Sequence, residues 1–274
     1  KRFESDLPDV PGDAALSLPE SPRNRMHRLV MTAFAVSGFC ALALEVLWTR
    51  LLIIVFLGTT YAYTTMLTTL LCGLVLGSAA ASLLVDRIRG HIALLGGVMM
   101  LTGIACILML SRFALLPERI LEIHQQSGYD WTAMSSGAFL LAFSVLFAPT
   151  FCFGMTFPLA VKAVSAGRAS LGRDVGALYA ANTFGGVLGA LAGGFLIIPL
   201  LGTHWGMVAL SMLLIIAGMA LLTTCPETLG YGKALILGGA MVLLSLAWKA
   251  APPDVSLALN AGYVPGDHRV LHYR

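Results

Sequence analysis

Glu45 is the one acidic side chain that lies well inside an apolar stretch of this chain. An uncompensated charge at the centre of a bilayer costs about 2.5–3.5 kcal/mol on insertion scales, so the carboxylate needs a partner. One interpretation is an ion pair with Arg50, about one and a half helical turns further on, which anchors the helix end. The other is a cation or amine site, in which the aromatic faces of Tyr61 and Tyr63 attract an ammonium group.

Asn182 is a second polar candidate, within the apolar stretch 175–200. In lipid a buried amide must find hydrogen-bond partners. We therefore expect either a bond to a neighbouring helix, which is favoured, or contact with a ligand. The candidate substrate-binding set is Glu45, Arg50, Tyr61, Tyr63 and Asn182.

Catalytic and cofactor motifs of the common kinds are missing from the sequence. There is no phosphate-binding lysine loop, no HExxH zinc motif and no nucleophile elbow. The five cysteines have no spacing typical of a metal site. We therefore predict no catalytic residue, no cofactor and no metal site in this segment. The basic residues mostly flank apolar stretches and form no patch, which argues against nucleic acid as a partner.

The composition is typical of a membrane protein. Of the 274 residues, 58% are hydrophobic and 11% are charged, and the mean hydropathy is +0.85. About a quarter of the residues in a soluble domain are charged, because its surface meets water. The sequence therefore predicts an all-α, polytopic transmembrane bundle of about seven helices, with the lipid bilayer as its main partner.

Seven apolar stretches are predicted to cross the membrane, whose hydrocarbon core is about 30 Å thick. A shorter apolar piece, 51–57, is expected to lie at the interface or to extend the first helix. Residues 112–137 mix charged and apolar side chains at helical spacing, which predicts an amphipathic helix on the membrane surface. The seven stretches are residues 29–48, 61–85, 92–111, 138–161, 175–200, 205–222 and 234–248.

This pattern divides the chain into a polar N-terminal tail (1–28), a transmembrane domain (29–249) and a C-terminal tail or linker (250–274). Most basic residues collect on the side of the amino end, and cytoplasmic loops carry the excess of Lys and Arg. The N-terminus is therefore predicted to be cytoplasmic, with the chain in the inner (cytoplasmic) membrane. An odd number of spans then places the C-terminus outside.

Glycine stripes are expected to bring helices together, because in lipid there is little hydrophobic force between them. The fifth stretch carries Gly185, Gly189 and Gly193, and the second carries Gly73 and Gly77. Tight packing within one protomer is the favoured role of these stripes. The alternative is a face of a homo-oligomer or a moving gate.

Motifs in four of the apolar stretches carry a family resemblance. Together they resemble the membrane region of the fused major facilitator/spermidine synthase family, the membrane-bound polyamine aminopropyltransferase-like proteins. The resemblance covers about residues 30–210, and the sequence DRIRG at 86–90 is similar to a loop signature of the major facilitator superfamily. The four motifs are 44–50 (LEVLWTR), 73–78 (GLVLGS), 154–160 (GMTFPLA) and 176–185 (GALYAANTFG).

The resemblance implies half of a major facilitator bundle with an added helix. It further implies the membrane domain of a spermidine synthase-like fusion protein, serving as an anchor and as a path for a polyamine or other small cation. An aminopropyltransferase-like domain would then follow residue 274, and a C-terminus outside the cell conflicts with a cytosolic enzyme there. The competing interpretation is a non-catalytic structural subunit of a larger membrane complex.

Overall fold

The computed structural model describes residues 22–56, 59–88, 90–113, 130–164 and 171–224, with residues 116, 119, 122, 123 and 125 between the third and fourth segments. All regular secondary structure in this part of the chain is helical. Five of its helical stretches are long and apolar enough to cross a membrane. The predicted seventh span, the C-terminal tail and most of the N-terminal tail lie outside the described residues.

Six α-helices account for these stretches, and most of their side chains are apolar. Because lipid offers no hydrogen bonds to the backbone, an apolar segment that enters it must satisfy its own N–H and C=O groups, as an α-helix does. The helices are α1 (Pro22–Phe56), α2 (Thr59–Val85), α3 (His91–Phe113), α4 (Trp131–Val164), α5 (Leu171–Ala192) and α6 (Ile198–Thr224), and one π-helical turn, Gly193–Ile197, joins α5 to α6.

The first and fourth helices exceed their predicted spans by the largest margins. The first, α1, has 35 residues and therefore a length of about 52 Å, so it extends beyond a hydrocarbon core of about 30 Å. It starts at Pro22, inside the predicted tail, because proline is well tolerated in a first helical turn. At its other end it includes most of the short apolar piece, which therefore extends the first helix.

The fourth helix begins at Trp131, seven residues before the predicted span. The carboxylate of Asp130 accepts a hydrogen bond of 3.1 Å from the backbone N–H of Ala133, which caps the first turn. Part of the predicted surface segment is thus the start of α4. In the rest of that segment Leu116 is buried, whereas Arg119 and Glu122 are exposed and form an ion pair of 2.9 Å.

The chain reverses direction at Gly202. The apolar stretch Gly172–Thr224 has 53 residues, which as one straight helix would measure about 80 Å, far more than one crossing needs. Gly202 has φ 72° and ψ 176°, a conformation essentially restricted to glycine. Beyond it, Gly206 packs against the side chain of Ile197, which requires the chain to fold back. The stretch therefore forms two helices that run in opposite directions, and each has a length suited to one crossing.

The helices pack in three main pairs whose directions follow from their contacts. α5 runs parallel to α1, since Gly185, Gly189 and Gly193 lie in order against Ala35, Phe39 and Ala43. α2 runs parallel to α4, and α3 runs antiparallel to α6. These directions agree with a chain that alternates between two sides. We call the side where α1 begins the amino side, and the other the far side.

The pairing has the symmetry of an inverted repeat of three helices. The first triplet is α1 to α3 and the second is α4 to α6, so α1 corresponds to α4, α2 to α5 and α3 to α6. Under this correspondence the α1–α5 pair is equivalent to the α4–α2 pair, and the α3–α6 pair is equivalent to itself. In both equivalent pairs the second helix of one triplet places its glycines on the first helix of the other. Because the first triplet starts on the amino side and the second on the far side, the two repeats have opposite orientation.

Candidate functional site

Glu45 lies half-buried on α1. Among the described residues its carboxylate has no hydrogen-bond or ion-pair partner. Arg50 is exposed, and five residues along a helix correspond to a rotation of about 140°, so the two side chains project from different faces. The Glu45–Arg50 ion pair considered from the sequence is therefore not formed in the described part of the chain.

The direction in which Glu45 faces follows from the contacts of its neighbours on α1. Val46 packs on the glycines of the π-turn, and Leu47 packs against Gly206 of α6. Glu45 instead projects in nearly the same direction as Phe34. The two residues are eleven positions apart, which is about three full helical turns, so their side chains differ in direction by only about 20°. The ring of Phe34 lies 5.9 Å from that of Phe157 on α4. Gly38, seven residues before Glu45, flanks it by about 20° on the other side and packs on Asn182 of α5. Glu45 therefore lies between the faces of α1 that contact α4 and α5.

A column of four phenylalanines follows α4 at the same depth. Their ring centroids are separated by 6.0, 4.9 and 5.8 Å in succession, and all four side chains are half-buried. α1 and α4 are antiparallel, so the contact of Phe34 with Phe157 sets the register and places Glu45 level with residues 143–147. The column consists of Phe139, Phe143, Phe147 and Phe151. Their regular spacing of four residues is visible in the sequence.

The two tyrosines of the candidate set lie at the start of α2. Tyr61 meets Trp131 of α4 edge-on, with ring centroids 5.1 Å apart, and both rings are exposed. Exposed aromatic pairs at helix ends are typical of the membrane–water interface, where amphipathic rings are enriched. Tyr63, two residues or about half a turn further along, is also exposed. The structure therefore places both tyrosines near the far-side surface and shows no hydrogen bond from either to Glu45.

Asn182 lies where α5 packs on α1. A methyl group at Gly38 would come within 2.6 Å of the Asn182 side-chain oxygen, so the amide fills the space beside this glycine. Within the described part of the chain, its side chain makes no hydrogen bond. Gly38 and Glu45 are seven residues apart, about 10 Å along the helix axis. Asn182 and Glu45 are therefore at different depths.

The five predicted packing glycines all lie at close approaches between helix backbones. At each position an added Cβ would overlap or crowd a neighbouring helix. Small residues allow this approach, which maximises van der Waals contact where the hydrophobic effect is absent. The neighbours are Thr150 for Gly73, Phe151 and Gly154 for Gly77, Ala35 for Gly185, Phe39 for Gly189 and Ala43 for Gly193.

An ion pair connects α2 to α4 on the amino side. Lys162 Nζ donates a hydrogen bond of 2.8 Å to the carboxylate of Asp86, and both side chains are exposed. This hydrogen bond and the lysine charge hold the pKa of Asp86 below its usual value. The His91 ring nitrogen Nε2 lies 2.9 Å from the carbonyl oxygen of Val85, which ties the start of α3 to the end of α2.

Taken together, the candidate site is a half-buried carboxylate on α1 that has no partner among the described residues and lies at the depth of aromatic rings on α4. In the described part of the chain, no three His, Cys, Asp or Glu side chains lie close enough to hold a metal ion. Comparison with protein-family models, with curated proteins and with solved structures found no match to this chain.

Proposed function

We propose that this chain is the membrane domain of a spermidine synthase-like fusion protein and that it binds a polyamine or another small organic cation between α1 and α4. The observation that carries the proposal is Glu45, a half-buried carboxylate in a membrane helix without a basic partner among the described residues. Such a residue costs stability, and intramembrane acids usually mark substrate or ion pathways. A bound ammonium group would offset that cost.

The inverted three-helix repeat supports a transporter-like bundle. Inverted repeats are characteristic of secondary transporters, including each half of the major facilitator fold, and their substrate sites lie where the repeats meet. α1 and α4 are the first helices of the two triplets, so the contact between them belongs to the repeat interface. Glu45 lies next to this interface, in the half of α1 nearer the far side.

The chemistry of the site favours an organic amine over a divalent metal ion. Ca²⁺ and Mg²⁺ need about six or more oxygen ligands, whereas the site offers one carboxylate. An ammonium group can bond to a single carboxylate and rest its charge against aromatic faces. The rings of Phe143 and Phe147 on α4 lie at the depth of Glu45.

The distribution of basic side chains supports the proposed orientation in the inner membrane. Arg25, Arg28, Arg87, Lys162 and Arg173 lie toward the amino side, whereas Arg50, Arg112 and Arg119 lie toward the far side. Since cytoplasmic surfaces carry the excess of Lys and Arg, the amino side is proposed to be cytoplasmic. Single cysteines at positions 87 and 130, in a background without native cysteines, would test this. An impermeant reagent added outside should label position 130 and not position 87.

Binding of radiolabelled spermidine to the purified full chain in lipid nanodiscs tests the proposed function. We expect saturable binding that putrescine displaces. Glu45→Gln, which removes the charge and keeps the shape, should weaken it at least tenfold. Glu122→Gln, which removes an exposed carboxylate away from the site, is the matched control and should bind like the wild type. Equal binding by all three proteins, or none by the wild type, would favour the structural-subunit interpretation.

A further inference from the structure

We propose that Trp48 and His204 jointly bind one internal water molecule between α1 and α6. Trp48 exposes 1% and His204 exposes 3% of its surface. Indole Nε1 and imidazole Nδ1 of these residues are buried without a hydrogen-bond partner among the described residues. Buried polar atoms are nearly always bonded, so two orphaned atoms in an apolar bundle require an explanation.

The register of the two helices brings these atoms to one depth. Cys40 Sγ lies 3.6 Å from the carbonyl oxygen of Leu210, and Leu47 packs against Gly206. In an antiparallel pair, these two contacts place Trp48 level with residues 202–205, a range that includes His204. Both side chains point into the protein, since both are almost completely buried.

The hydrogen-bonding capacities of the two atoms are complementary. Indole Nε1–H can only donate, and imidazole Nδ1 accepts when the ring proton is on Nε2. They do not bond to each other, since neither atom has a partner. A molecule between them must accept from the indole and donate to the imidazole. Water does both and is the usual ligand of such internal sites.

Hydroxyl-radical footprinting of the unmodified full chain in nanodiscs tests this inference. Radicals formed from an internal water modify the side chains beside it, even when bulk solvent cannot reach them. Met99 is a matched control, because it is fully buried in the same bundle and methionine is highly reactive. We expect modification of Trp48 and His204 well above that of Met99. Modification of both at or below the level of Met99 would overturn the inference.

A double-mutant cycle tests whether the two side chains share their ligand. Trp48→Phe and His204→Leu each leave the water with one partner, so each should lower the Tm. The Tm of the double variant should fall by clearly less than the sum of the two single decreases, because neither buried polar atom then remains without a partner. His204→Asn, whose side-chain oxygen can replace Nδ1, should recover part of the loss. Additive losses without recovery by asparagine would refute a shared water.

Discussion

The packing of α3 on α6 makes a sharp prediction for two adjacent glycines, Gly96 and Gly97. A methyl group at Gly96 would lie 2.7 Å from the carbonyl oxygen of Gly218 on α6, whereas one at Gly97 would have no neighbour within 4 Å. Ordinary contact starts at 3.4 Å, so Gly96→Ala must move the two backbones apart by about 0.7 Å. Gly97→Ala requires no movement.

The expected cost follows from two opposing effects. Overpacking a tight contact costs about 1–3 kcal/mol. Alanine is favoured over glycine inside a helix by about 1 kcal/mol, and this gain is common to both variants. The difference in the free energy of unfolding between Gly97→Ala and Gly96→Ala should therefore be about 1–3 kcal/mol, with Gly96→Ala less stable.

Equilibrium unfolding of both variants in mixed micelles, followed by the loss of helical circular dichroism, measures this difference directly. Because the two positions are neighbours on one helix, changes in helix propensity and membrane insertion cancel. If the two variants are equally stable, the close approach of α3 and α6 at Gly96 does not exist. If Gly97→Ala is the less stable one, the rotation of α3 in this account is wrong.

Three further predictions concern single sites. Gly202→Ala should destabilise the protein by about 1–3 kcal/mol in the same unfolding assay, because its backbone conformation excludes side chains; unchanged stability would contradict the chain reversal. The pKa of Asp86 is lower in the folded protein than in the unfolded chain. Ionised Asp86 therefore stabilises the folded protein fully above its unfolded pKa of about 3.9, and this stabilisation is lost as the pH falls through its folded pKa. The Tm should therefore fall between pH 7 and pH 3, and this fall should be smaller in Lys162→Met, which lacks the partner of Asp86. Glu45→Gln should leave the Tm unchanged or raise it, because it removes a charge without a partner; a large drop would indicate a structural role.

The fold class and the positions of most spans could be predicted because composition and length determine them. A stretch of about 20 apolar residues fits the thickness of the bilayer. The basic residues Arg87 after α2 and Lys162 at the end of α4 indicate where these apolar stretches end. The separation of the fifth and sixth spans was also predictable, since Gly202 interrupts the apolar stretch. The early start of α4 was missed because its first turns include polar residues, which the capping carboxylate of Asp130 nevertheless brings into the helix.

The choice of helix partners could not be read from the sequence. All lipid-facing and helix-facing surfaces are apolar in a membrane, so hydropathy does not say which helix packs on which. The glycine stripes indicated close contacts, but only the structure shows that α5 packs on α1 and α2 packs on α4. For Glu45, the rotation of about 140° from Arg50 follows from helix geometry alone. Its position between the α4 and α5 contacts depends on the tertiary structure.

Infrared difference spectroscopy tests most directly whether the Glu45 carboxylate binds the cation. Adding spermidine to the protein in lipid should shift a carboxylate band in the wild type, because the ammonium group becomes its hydrogen-bond donor. We predict that this band is absent from the difference spectrum of Glu45→Gln and present in that of Glu122→Gln. Identical difference spectra for wild type and Glu45→Gln would contradict a cation site at Glu45.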